Sequence, residues 1–191
     1  DDKNFFIENR IISTDKIIVI PGSGVNIDEF SDTSWRHAKN KVLFPSRLLK
    51  DKGLMEFVSV AKILKSKYQN WEFVLAGSLE SNNPSKINPK LLNQWINEGA
   101  IEWLGHVENI NQIFIQSSIV CLPSYREGMP KSLQEAAASE RPVVTTDTTG
   151  CREVIINNVT GILVPIKDIS NLSLAIEKLI LDEKLRKNFG K

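Results

Sequence analysis

The sequence predicts an α/β domain with a mainly parallel sheet and helices on both faces. Three observations lead there. Short apolar, β-branched runs alternate with longer segments of helical periodicity through most of the chain. Several of the short runs are almost continuously apolar, as in Phe73-Val74-Leu75-Ala76, the pattern of strands buried on both faces. Hydrophobic residues make up 41% and charged residues 25% of the 191 residues, the composition of a folded globular chain with enough length for a real core.

In chain order, strands are expected at 16–20, 41–44, 71–76, 101–104, 119–123, 142–146 and 161–164. The first helix, 52–67, places Leu54, Phe57, Val58, Ala61 and Leu64 on one face at three- and four-residue spacing. The second, 89–98, opens on Pro89 and stops before Gly99, the usual boundary residues. Further helices are expected at 109–117, 130–140, 152–157 and 168–181. Residues 81–90, with Asn82-Asn83-Pro84 and Pro89, read as an exposed insertion. Residues 1–14 have no partner in the pattern and are expected to be a hinge or docking segment, or a frayed end. The chain opens at Asp1 rather than Met, which suits a piece of something longer.

Lys and Arg number 24 against 23 Asp and Glu, so the net charge is +1. No bulk basic field is available to hold nucleic acid by phosphate neutralisation. Cys121 and Cys151 form no CxxC pair, and His37 and His106 complete no ligand cluster, so no structural metal is expected. Two distant cysteines suggest a reducing cytoplasm. No apolar run approaches the length of a membrane span.

Ligands of such sheets sit beyond the carboxyl ends of the strands, so the strand-to-helix loops are where chemistry is expected. In Ser46-Arg47-Leu48-Leu49-Lys50-Asp51-Lys52-Gly53, two cations flank a helix start. Arg47 would meet an anion as a planar fork and Lys52 as a compact charge, beside the partial positive charge of a helix N-terminus. In Glu127-Gly128-Met129-Pro130-Lys131-Ser132-Leu133-Gln134-Glu135, one carboxylate precedes a helix and a second lies inside it. Carboxylates accept from sugar hydroxyls. Spacing alone leaves both segments open: solvated cations and helix-end anions suit the same residues. Gly22-Ser23-Gly24 follows an expected strand, but Ile27 stands where a dinucleotide fingerprint needs its third glycine. The segment 145–153 could line a site with hydroxyls or simply cap the next helix. Trp103, at a strand end, is the tryptophan of interest among four.

Taken together, these segments resemble the donor-nucleotide half of a GT-B glycosyltransferase of the retaining family 4 group. The resemblance runs from about Ile20 to Leu181. Its most specific element is Glu127-Gly128-x-Pro130-x-x-x-x-Glu135, the family's two glutamates with seven residues between them. Ala136-Ala137-Ala138, Arg141-Pro142-Val143-Val144, Gly150, Glu153 and Gly161-Ile162-Leu163-Val164 follow in the family's order. Upstream, Arg47…Lys52-Gly53, Ala76-Gly77, Trp103-Leu104-Gly105 and Leu122-Pro123-Ser124 are also in register.

The resemblance implies a Rossmann-like, doubly wound donor domain over residues 15–191, one half of a GT-B fold, with the acceptor-binding domain absent. It implies that Arg47 and Lys52 bind the donor diphosphate and stabilise the leaving charge, and that Glu135 holds the ribose. Glu127 would touch the transferred sugar, and the backbone of Gly128, Met129, Pro130 and Lys131 would face sugar and phosphate. Backbone near Val107 would meet the base, with Gly24 and Gly77 also at the donor. No cofactor or metal is implied, since the nucleotide sugar is a substrate. The partners implied are that donor and a glycan or lipid-linked acceptor reached through the absent domain. That domain would also make any contact with the cytoplasmic face of the membrane. Two departures stand out. Glu140 replaces a usual glycine, which costs about 1 kcal/mol if its backbone is left-handed, and Thr149 replaces the first of a glycine pair. A non-catalytic nucleotide-sugar-binding module and a GT-B nucleotide-sugar epimerase relative are the alternatives.

Overall fold

The computed structural model describes residues 2–20, 22–30 and 34–191. Its centre is a six-stranded sheet of β1 (Lys41–Pro45), β2 (Glu72–Ala76), β3 (Glu102–Trp103), β4 (Ile119–Leu122), β5 (Val143–Thr146) and β6 (Gly161–Val164). Every neighbouring pair is parallel, and the order across the sheet is β3-β2-β1-β4-β5-β6. The chain thus builds outward from β1 to β3, then returns to the other side of β1. That reversal opens a crevice at the carboxyl ends of β1 and β4, the switch point where ligands bind in doubly wound sheets.

The helices are α1 (Asp2–Glu8), α2 (Leu54–Lys67), α3 (Pro89–Asn97), α4 (Ile110–Gln116), α5 (Lys131–Ala138), α6 (Thr149–Arg152), α7 (Ile169–Leu181) and α8 (Glu183–Phe189). Helices α2 and α7 pack on each other, with α8 against α7, while α4 and α5 pack together against β1, β4 and β5. β1, β4 and β5 are buried at every position, which requires cover on both faces. This is the parallel α/β architecture that the alternation of runs predicts, in the Rossmann-like, doubly wound form that the resemblance implies. Phe57 of α2 fills the space over the sheet, its ring 5.2 Å from Phe44 and 5.9 Å from Phe73.

Two expectations need correction, and one helix was not expected. Residues 16–20 form no strand: 14–16 make a single 3-10 turn, and Ile18, Val19 and Ile20 are exposed. β-branched residues favour a strand only where a neighbour takes up their N–H and C=O groups, and no described strand lies beside them. The helix expected at 152–157 lies earlier, at α6. Thr148 starts it, Glu153 ends it, and Asn158, at a φ of 58°, turns the chain back towards β6. Helix α8 extends the fold past the last expected element, its buried Arg186 lying 5.2 Å over the ring of Trp71. Within the expected hinge or docking segment, residues 2–8 are the helix α1; Asp1 lies outside the described residues. Glu140 has a φ of 54°, so the left-handed turn after α5 is made by a glutamate at the cost noted above.

Candidate active site

The loops after β1 and β4 carry the charged residues of interest, and main-chain contacts hold them together. Gly53 follows the 3-10 turn Lys50–Lys52 in a left-handed conformation, φ 74°. A Cβ on it would lie 2.0 Å from the Pro123 carbonyl oxygen, so only glycine lets the two loops touch. The Asp51 carbonyl accepts from the Tyr125 N–H at 2.8 Å and from Ser124 Oγ at 3.2 Å. The next loop joins on the other side: a Cβ on Gly150 would lie 2.0 Å from the Gly128 carbonyl oxygen. Thr146 Oγ1 also donates to the Ser124 carbonyl.

This stapling brings Lys52 and Glu127 together across the switch point. Lys52 Nζ lies 2.7 Å from Glu127 Oε1, with the two side chains 18% and 11% exposed. The pair is sheltered enough to be worth more than a surface ion pair. Arg47, on the same loop as Lys52, is exposed, and its guanidinium forms no hydrogen bond or ion pair with a described residue. Glu135 lies on α5, 14% exposed, with Lys131 Nζ 3.5 Å away. Burial pushes its carboxyl pKa up; Lys131 pulls it down, and Glu29 adds a smaller upward push. Helix α5 begins after Pro130, which offers its first N–H groups no side-chain cap.

A cleft of about 710 Å³ runs beside the pair. One wall is Glu127, Gly128 and Met129. Facing it are Asp147, Thr148, Thr149, Arg152 and Glu153, with Val19 and Ile20 closing one side. Five residues of the segment 145–153 thus line this cleft, and Thr148 also stands at the start of α6, the place of a capping residue. The close approach to the Gly128 carbonyl is made by Gly150, next to Thr149. Asp147 and Arg152 form an ion pair at 2.8 Å.

Gly77 and the loop of Gly105 and Val107 lie farther along the sheet edge. The Ser46 carbonyl oxygen would lie 2.0 Å from a Cβ on Gly77, and the Gly77 N–H donates to the Gly105 carbonyl at 2.8 Å. Trp103 Nε1 donates to the Gly77 carbonyl at 2.9 Å, fixing the loop beneath. Val107 packs half-buried on the core after Gly105. Gly24 has a φ of 71° with open space where a Cβ would sit. Nearby Gly22 packs against Met129 and Gln134, which joins its segment to the cleft wall.

Sequence reading singled out neither Tyr125 in the cleft nor Glu56 behind it, and named Asp147 and Arg152 only as part of the segment 145–153. The spacing of Glu56 and Tyr125 carries no signal, because they meet only through tertiary contact. Among the described residues, no group of three or more His, Cys, Asp and Glu side chains is placed to hold a metal ion. No described helix is long and apolar enough to cross a membrane.

Residues 26–191 match the sequence model of the family described as glycosyl transferases group 1. The chain is 35% identical over 199 residues to the Campylobacter jejuni N,N'-diacetylbacillosaminyl-diphospho-undecaprenol alpha-1,3-N-acetylgalactosaminyltransferase. That match takes in 97% of this chain and 51% of the relative, so the chain spans about half the relative's length. The solved C-terminal domain of a glycosyl transferase group 1 family protein (LpcC) from Francisella tularensis aligns with a TM-score of 0.75 at 24% identity. It covers 88% of this chain and 93% of that one. Anabaena Alr3699/HepE, solved in complex with UDP, aligns with a TM-score of 0.81 at 21% identity, over 98% of this chain and 54% of its own. With the family's model matched over residues 26–191, the chain belongs to the glycosyl transferases group 1 family.

Proposed function

We propose that this chain is the donor-binding half of a retaining glycosyltransferase. The enzyme moves a sugar from a nucleoside-diphosphate sugar to a glycan or lipid-linked acceptor, in surface polysaccharide or glycan synthesis. The observation that carries the reading is the meeting of Lys52 and Glu127 at the switch point, 2.7 Å apart, with Arg47 unengaged on the same loop.

Breaking a sugar–diphosphate bond leaves negative charge on the diphosphate. A cation about 4 Å away is worth about 4 kcal/mol at an effective dielectric near 20, before desolvation. Arg47 and Lys52 together with the uncapped start of α5 supply such stabilisation from fixed groups. As Lys52 turns to the diphosphate, Glu127 is released to accept from the hydroxyls of the transferred sugar. Glu135 takes the ribose, the main chain from Gly128 to Lys131 faces sugar and phosphate, and the loop of Gly105 and Val107 takes the base, with Gly24 and Gly77 beside the donor. Retention of anomeric configuration, and the absence of a metal or other cofactor, follow from the family resemblance. The name of the Campylobacter jejuni relative specifies an undecaprenol-linked acceptor, which supports a lipid-linked acceptor here. An acceptor of that kind places the whole enzyme at the cytoplasmic face of the membrane. The acceptor enters through a separate domain, so this chain alone transfers nothing.

Thermal melting against UDP, GDP, ADP and NAD tests the reading. One nucleoside diphosphate at about 100 times its dissociation constant adds about 2.7 kcal/mol. That raises the midpoint by roughly 5–11 °C for a chain of this size. The rise should vanish in Arg47→Ala and Glu135→Ala. A rise with NAD alone, or one that both variants keep, would overturn the reading.

A further inference from the structure

Behind the Lys52–Glu127 pair lies a buried hydrogen bond that the proposed chemistry does not use. Glu56 is the third residue of α2 and only 8% exposed. Tyr125 stands two residues before Glu127 and lines the cleft. The Tyr125 hydroxyl donates to Glu56 Oε1 at 2.7 Å. Glu56 Oε2 is buried with no hydrogen-bond partner. The Lys167 ammonium sits 4.8 Å from the centre of the Tyr125 ring.

A glutamate at the third position of a helix ordinarily reaches back to the N–H before the helix. Here the Gly53 N–H is already bonded to the Lys50 carbonyl at 3.0 Å, and Glu56 turns away to Tyr125. A buried carboxyl group with one oxygen unmatched is a costly choice at a position an aliphatic side chain would fill. Nor are Glu56 and Tyr125 needed merely to keep the two loops in contact. The Asp51 carbonyl bonds and the Gly53–Pro123 approach already do that. What the side-chain bond adds is orientation. It fixes the Tyr125 ring, clasped from one end by α2 and covered by Lys167, and so sets the direction in which the chain leaves towards Glu127. Burial and the Glu56 carboxyl group both push the Tyr125 hydroxyl pKa up, which keeps it a donor.

We infer that Glu56 and Tyr125 are positioning residues that aim Glu127 at Lys52 and at the sugar that displaces it. The inference rests on the donor-site reading above. It asks for a reduced chemical step with donor binding preserved, because the diphosphate contacts of Arg47 and Lys52 lie outside the pair.

The test is donor turnover by the full-length protein that carries this chain. Tyr125→Phe keeps the ring and its Lys167 contact and removes only the hydroxyl. It should lower kcat about tenfold with donor KM nearly unchanged, and lower the melting temperature by roughly 2–12 °C because the buried Glu56 carboxyl loses its hydrogen bond. Glu56→Leu should lower kcat equally without that melting loss, and the double variant should have a kcat no lower than either single one, as for two groups acting as a unit. Glu56→Gln, whose amide oxygen still accepts from Tyr125, should restore kcat to within about twofold of wild type. The inference is overturned if Tyr125→Phe leaves kcat within about twofold, or if Glu56→Gln falls as far as Glu56→Leu. Should Glu56→Leu fail to fold, Tyr125→Phe and Glu56→Gln still decide. Lys52→Ala, measured in parallel, separates the two claims. Full turnover in that variant would sink the donor-site reading itself. Lost turnover there beside an unaffected Tyr125→Phe would sink only the positioning role.

Discussion

Gly53→Ala probes how the two charged loops are held at contact distance. Two costs add. The backbone at Gly53 has a φ of 74°, and an alanine pays about 1–2 kcal/mol to stay left-handed. The new Cβ would also lie 2.0 Å from the Pro123 carbonyl oxygen, where real contacts do not come under 3.0 Å, so the loops must part by about 1 Å. Overpacking of that kind costs about 1–3 kcal/mol. The total, about 2–5 kcal/mol, lowers the melting temperature by roughly 4–20 °C at 2–4 °C per kcal/mol. The same displacement takes Lys52 Nζ and Glu127 Oε1 from 2.7 Å to beyond hydrogen-bond range. Gly99→Ala is the control. It has nearly the same φ, 67°, with nothing within 4 Å of its Cβ. It therefore carries only the strain, worth roughly 2–8 °C. Calorimetry with and without UDP reads both effects. Gly53→Ala should melt lower than Gly99→Ala and lose any nucleotide-induced rise that Gly99→Ala keeps. Equal melting losses, with an undiminished UDP response in both, would refute the claim that close approach of these loops builds the site.

Other perturbations separate binding groups from structural ones. Lys52→Ala leaves the sheltered Glu127 carboxylate without its partner and should cost about 1–3 kcal/mol in urea denaturation; adding Glu127→Ala should recover part of that, and a double variant that is less stable still would contradict the pairing. Arg47→Ala, which removes an exposed cation with no described partner, should change stability by less than about 0.5 kcal/mol while removing most of the nucleotide-induced rise in melting temperature. Glu135 offers a pH test. Burial raises its pKa, so the folded state holds its proton more tightly than the unfolded chain does. Its contribution to stability is fully present below the ordinary carboxylate range and is lost as pH rises through the raised value. Glu135→Gln should therefore melt higher than wild type at pH 7, with the gain shrinking towards pH 4; no gain at pH 7 would mean that the carboxylate is not held at a cost.

Much of this was legible from residues alone, for physical reasons. β1, β2, β4 and β5 are buried on both faces, so their apolar runs announce themselves without help from tertiary context. Residues 16–20 carry the same β-branched signal, yet Ile18 is 87% exposed. Propensity describes what a segment would do beside a neighbour and says nothing of whether the neighbour is there. Glu127 and Glu135 were found because they belong to one short segment, Glu127-Gly128-x-Pro130-x-x-x-x-Glu135, whose pattern is readable within a single stretch of chain. Glu56 and Tyr125 were not, since 69 residues separate them and only the docking of two loops brings them together.

The glycines show why scattered weak motifs amounted to a site. Gly77, after β2, touches the Ser46 carbonyl, after β1; Gly53, on the β1 loop, touches the Pro123 carbonyl, after β4; Gly150, after β5, touches the Gly128 carbonyl on the β4 loop. Across the sheet the order is β2, β1, β4, β5, so each contact joins the loops of adjacent strands. Every one of these contacts needs a residue without a Cβ, and each carbonyl it meets lies beside or within a charged segment. In the sequence each glycine is a commonplace turn residue. Along the carboxyl edge they are successive joints that draw four loops into one continuous rim, and Arg47, Lys52, Glu127 and the cleft wall 147–153 are all carried on that rim. A Cβ at any one joint would push its neighbouring loop outward, so the electrostatics of the site depend on small residues that bear no charge.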